Sequence, residues 1–199
     1  MRIQISDHFT YSLLFLFVLP SIVMMVFTSI YGVIDGLFVS NLVGKTPFAA
    51  LNLIMPFIMV LGGMGFLIGT GGSALVASEL GRGDRDGANR TFSMMVLFTV
   101  LLGLALTALG LLFLRPVARL LGADDSMMEY CVRYGGVCIA FTTAFMLQNV
   151  FQSFLAAAEK PRLGLAVTVA AGVTNAVLDA VFMAVFGWGL TGAALATGI

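Results

Sequence analysis

Lys and Arg are absent from five long stretches of the chain, 11–42, 48–78, 91–114, 134–158 and 163–185, and from a shorter one at 190–199. Within these stretches apolar side chains run almost unbroken. A charged side chain at the centre of a bilayer costs roughly 2.5–3.5 kcal/mol on insertion scales, so the pattern predicts membrane helices separated by polar connectors. The first five runs exceed the ~20 residues needed to cross hydrocarbon. The sixth rises only ~15 Å as a helix against a core of ~30 Å, which is the expectation for part of a longer chain. The connectors, 41–47, 79–90, 115–133, 159–162 and 187–189, are too short to form a separate soluble domain. The expected fold is therefore all-α and polytopic, one transmembrane lobe over 1–199 with its sixth helix incomplete.

Composition agrees, since 60% of the 199 residues are hydrophobic and only 10% are charged. Ten basic residues cancel ten acidic ones, which leaves no basic stripe for nucleic-acid phosphates. Cys131 and Cys138, seven residues apart, lie about two helical turns from each other, beyond bridging distance, and read as reduced core residues. The first apolar run lacks a small-residue cleavage site and reads as a retained helix rather than a signal peptide. Basic residues counted over short loops place Arg2, Arg82, Arg85, Arg90, Lys160 and Arg162 on one side and Lys45, Arg115 and Arg119 on the other. That bias expects a cytoplasmic N-terminus.

Two acids lie inside apolar runs, Asp35 in the first and Asp179 in the fifth. Asp35 precedes Leu42 by seven residues and Asp179 precedes Val185 by six, so both come ~10 Å below the outer ends of helices running the same way. Thr197, on a sixth helix running back from about Leu190, reaches a similar depth. Thr28, Tyr31 and Asp35 share one helix face, and Thr168, Gly172, Asn175 and Asp179 share another. Asn149 and Gln152 add polar groups from the fourth run. Such stripes face a bundle interior or a water-filled cavity. The plainer reading is interhelical glue, with the Thr and Asn side chains bonded to their own helix. Two carboxylates at one depth, with no Lys or Arg in any run to neutralise them, favour a site for a proton or a hard monovalent cation.

Pro20 removes one backbone hydrogen bond within the first helix and marks a bending point, static or mobile. Gly62, Gly63, Gly65, Gly69, Gly71 and Gly72 lack the Lys and Ser/Thr of a phosphate loop and read as a close-packing face. His8 stands alone, without the companions a metal site requires.

Several segments carry a family resemblance across nearly all 199 residues: Pro20 and Asp35, GRGDRDGANR (81–90), FQSFLAAAEKPRLGL (151–165) and NAVLDAVFMAVFGWGLTGAALAT (175–197). The chain resembles the N-terminal half of the bacterial MATE (multidrug and toxic compound extrusion) transporters. The resemblance implies twelve helices in two six-helix lobes with a central cavity between them, of which only the first lobe is present and the C-terminal lobe is missing. It implies a cation-binding site at Asp35, Asn175, Asp179 and Thr197, and lobe-lining positions at Tyr31, Asn149 and Gln152. It implies exchange of amphipathic, often cationic compounds for inward H+ or Na+ at the cytoplasmic membrane, with no cofactor beyond the coupling ion and no enzymatic step. Ala180 departs from relatives that carry Pro after the Asp.

Rival readings are weaker. A lipid-linked oligosaccharide flippase of a related superfamily would favour Arg and Lys along the cavity, and the membrane runs have none. An intramembrane aspartyl protease typically carries Gly-x-Gly-Asp, whereas Gly-Val-Ile-Asp and Ala-Val-Leu-Asp stand here. No nucleophile elbow, metal motif or Walker loop is present.

Overall fold

The computed structural model describes residues 11–158 and 160–198; within them the side chains of Pro20, Thr28, Tyr31 and Asp35 lie outside the described set, as does all of His8. The described residues form helices and no strands. In order they are α1 (Tyr11–Leu42), α2 (Lys45–Gly81), α3 (Arg85–Leu120), α4 (Asp125–Ala140), α5 (Thr142–Ala157), α6 (Pro161–Asp179), a π-helical stretch Ala180–Val185, and α7 (Gly189–Gly198). Among the described residues, α2, α3 and 162–185 are long and apolar enough to cross a membrane, and α4 with α5 forms one broken span bent by 48°.

The helices extend beyond the uncharged runs because charge marks the edge of hydrocarbon and not the end of a helix. At the start of α3, Asp84 accepts a hydrogen bond from the Gly87 N–H at 2.9 Å. At the start of α4, Asp124 accepts from the Met127 N–H at 2.9 Å and from the Ser126 hydroxyl at 2.7 Å. These caps satisfy orphan donors of the first turn, so helix begins in the polar connectors. Gly44 and Gly122, both with φ of 105°, make the left-handed turns that a side chain would resist at the ends of α1 and α3.

The fourth run, expected as a single helix over 134–158, begins at Asp125 and breaks at Phe141. No Pro or Gly stands at the break. The Phe141 N–H is shared between the Val137 and Cys138 carbonyls at 3.3 and 3.2 Å, and Thr107 of α3 donates to the Ile139 carbonyl at 3.3 Å. A neighbouring helix thus supplies a donor where the ladder is disturbed, which is how broken backbone survives at membrane depth.

Helix α2 lies at the centre, packed on α3, α4 and α5. Its glycine face makes this possible: a Cβ on Gly65 would lie 2.5 Å from the Met146 Cα, and one on Gly69 would lie 3.0 Å from the Val150 Cα. Gly62 instead meets the Phe145 ring and Gly72 the Met95 and Phe154 side chains, while Gly63 and Gly71 face open space. Four of the six glycines therefore serve close packing, two of them against the α5 backbone and two against side chains. One buried cluster, with Val39, Ile54, Tyr134, Ile139, Met183 and Leu190, fills the end that carries the α1–α2 connection. A smaller one, Val76, Ala88, Val150 and Phe154, fills the end that carries the α2–α3 connection. Phe92 meets Phe154 edge-on there, with ring centroids 4.9 Å apart.

Gly65→Ala places a methyl against the α5 backbone and should destabilise the bundle by about 1–3 kcal/mol, the usual cost of overpacking. Thermal unfolding in detergent checks this, with Gly63→Ala as the control expected to leave the midpoint in place. The Ser126 hydroxyl, and then the Met127 N–H, hold the Asp124 carboxyl below its ordinary 3.8. A folded-state pKa lowered in this way adds stability that is full above 3.8 and is lost as pH falls through the lower folded value. Asp124→Ala should therefore lower the unfolding midpoint at neutral pH, and the difference from wild type should shrink on acidification.

Candidate functional site

One face of α6 carries polar groups into the bundle. Thr168 is 5% exposed, Asn175 8% and Asp179 0%, and Gly172 between them is buried as well. Spacings of four, three and four residues hold all four on a single stripe, so one helix orientation buries them together. The Thr168 hydroxyl donates to its own Gly164 carbonyl at 3.0 Å and accepts from Gln152 Nε2 of α5 at 2.7 Å. Asn175 Nδ2 is buried and finds no hydrogen-bond partner among the described residues. Directly after Asp179 the backbone widens into the π-helical stretch, the kind of irregularity that often accompanies functional groups in helices. Ala180 is its first residue.

Helix α1 packs along this stripe. Gln152 Nε2 also reaches the Met24 sulfur at 3.4 Å, which ties α1, α5 and α6 at one level. Further along, a Cβ on Gly172 would come 2.5 Å from Cε1 of the Phe27 ring. Met24 is thus level with Thr168, and Phe27 with Gly172, so the two helices run parallel. Eight residues beyond Phe27 lies Asp35, and seven beyond Gly172 lies Asp179, which puts the two positions within about 2 Å of one level. Four residues further, Val39 and Met183 belong to the same buried cluster. The position of Asp35 along α1 follows from the backbone; its side chain, like those of Pro20 and Tyr31, lies outside the described residues.

The remaining candidates sit differently. Thr197 is exposed on α7, and its hydroxyl donates to the Ala193 carbonyl of its own helix at 3.0 Å. Asn149 is half-buried where α5 crosses α2, with Nδ2 donating to the Phe145 carbonyl at 3.0 Å. Both bonds are the intrahelical back-bonding that polar residues in apolar helices commonly make. Gln152 instead reaches across helices. The sequence marks Gln152 and Thr168 as polar in apolar runs but carries no signal that they meet each other and Met24. Nor does it mark the open groove of about 390 Å3 between α1 and α2, lined by Val33, Leu37, Ser40, Phe48, Asn52 and Met55 among others.

The family model described as MatE matches residues 20–181. The chain belongs to the MatE family. The match includes Asp35, Asn175 and Asp179 and stops short of Thr197. Curated relatives include the multidrug export protein MepA of Staphylococcus haemolyticus (strain JCSC1435), 26% identical over 183 residues, covering 92% of this chain and 40% of the relative. MepA of Staphylococcus saprophyticus is 25% identical and is covered over 41% of its length. Among solved structures, a MATE in complex with MaD3S is similar with a TM-score of 0.85 at 27% identity, over 90% of this chain and 40% of that one. An inward-facing multidrug resistance MATE transporter of the MOP superfamily is similar with a TM-score of 0.80 at 28% identity, over 84% and 38%. This MatE chain spans about two-fifths of the length of the relatives it matches and corresponds to their N-terminal part.

Gln152→Leu removes the tie between α5, α6 and α1. The expected cost is about 0.6 kcal/mol and no more than about 1.7 kcal/mol, the average and the maximum for hydrogen bonds between membrane helices. It should appear as faster amide hydrogen exchange around Met24 and Thr168, with exchange in α3 unchanged.

Proposed function

We propose that this chain is the ion-coupling lobe of a secondary antiporter that exports drugs or other small organic compounds across the cytoplasmic membrane in exchange for H+ or Na+. The observation that carries the reading is Asp179, fully buried in an apolar bundle at the level of Asp35 on the helix packed beside it. Neither apolar run contains Lys or Arg. A carboxylate in hydrocarbon without a basic residue in its run is expensive unless it carries a proton or binds a cation, and that requirement is what couples it to an ion gradient. Asp35 and Asp179 hold the ion, Asn175 adds an amide oxygen from the buried stripe, and Thr197 adds a hydroxyl from α7 once its back-bond to Ala193 is released. Pro20 is the bending point through which ion binding changes α1. Tyr31, Asn149 and Gln152 line the lobe cavity for an amphipathic, cationic substrate. The N-terminus is cytoplasmic. The ion drives transport only to the extent that it binds the two conformations unequally. The MepA relatives are multidrug export proteins, which supports the cargo class.

The test is ethidium efflux by the full-length transporter in vesicles with an imposed H+ or Na+ gradient. Asp35→Asn and Asp179→Asn should each abolish gradient-driven efflux while the protein still reaches the membrane. Normal efflux in both variants would return the two acids to a structural role.

A further inference from the structure

We infer that the contact of Phe27 on Gly172 is a spacer that sets the separation of α1 and α6, and through it the geometry of the cation site. Phe27 and Gly172 are positioning residues for that site, and the inference rests on the function proposed above. Three observations lead to it. The α1–α6 seam has two described anchor points, the Gln152 link between Met24 and Thr168 and the Phe27–Gly172 contact. The second is the nearer to the acids, two turns away on both helices, so it has the greater leverage on their spacing. At that point a ring lies against a residue with no side chain, and a Cβ there would lie 2.5, 3.4 and 3.4 Å from three ring atoms. Any side chain on Gly172 must therefore displace the ring, α1 or both.

Gly172 is also the one member of the α6 stripe that offers no polar group. On a face otherwise made of Thr168, Asn175 and Asp179, a glycine brings nothing to an ion and everything to helix approach. Ligand sites tolerate little displacement, since a shift of about 1 Å in a group distant from the reacting or binding centre can cost up to 100-fold. A bulky residue at 172 thus acts on ion binding without touching the ion.

The test uses full-length transporter in proteoliposomes, with efflux measured against the concentration of the coupling ion. Gly172→Val should raise the ion concentration for half-maximal transport by about tenfold or more, with most of the maximal rate retained at saturating ion. Phe27→Ala in the same protein, by making room for the valine, should bring the value back towards wild type. An unchanged ion dependence, or a loss that Phe27→Ala does not repair, would overturn the inference. If Gly172→Val does not reach the membrane, Gly172→Ala with and without Phe27→Ala makes the same comparison under milder crowding. Spin labels on exposed positions of the two helices, Ile30→Cys and Val177→Cys in a cysteine-free background, read the spacing without transport. Gly172→Val should lengthen the interspin distance and Phe27→Ala should restore it. Transport by the wild type that ignores both gradients would count against the proposed function instead, and an interspin distance that does not respond would count against the spacer alone.

Discussion

Helix packing without water to drive it depends on how closely backbones can approach, and in this bundle α2 decides that distance. Lipid tails are as apolar as the side chains they contact, so burying Leu or Phe between helices gains little over leaving them in lipid. What remains is dispersion, which falls steeply with separation. Gly65 and Gly69 remove the side chains that would hold α5 away, and Gly103 of α3 does the same against Thr143. Around this dense centre the other helices find their places. The broken span α4–α5 follows α2 along both halves, bent where Thr107 compensates the Ile139 carbonyl.

The α1–α6 pair is built differently. It joins the α2-centred bundle at one end through the cluster of Val39, Met183 and Leu190 and lower down through Gln152. Its own seam combines a ring against a glycine with a stripe of polar groups, the costliest contents a membrane bundle can hold. The two helices contact each other extensively but meet α2 and α5 far less than those helices meet one another. The π-helical stretch after Asp179 and the stack of Phe182 on Trp188, with centroids 5.1 Å apart, close the far end of α6 and lead into α7.

Much of this was legible in the chain. The uncharged runs fall on helices, four of the six glycines marked close packing, and two lone acids stood out because hydrocarbon tolerates so few. Depth counted from the helix ends put Asp35 and Asp179 at one level, and the contacts of Met24 and Phe27 along α6 lead to the same level by a separate route. Other features had no local signal. The break at Phe141 has neither Pro nor Gly, the link through Gln152 joins residues more than a hundred positions apart, and the helices run past the charges meant to end them. Thr197 shows the reverse case, a residue marked by its motif whose hydroxyl is bonded within its own helix.

The sequence by itself determined what each segment could be: which stretches tolerate hydrocarbon, which face of each helix is polar, and where charge is out of place. These are properties of single helices, fixed by the period of 3.6 residues and by transfer energies. Only the tertiary structure decided which faces meet and how closely. Those depend on side-chain shapes at contacts between distant residues, Phe27 against Gly172 or Met146 against Gly65, and a one-dimensional pattern holds no record of distance across helices.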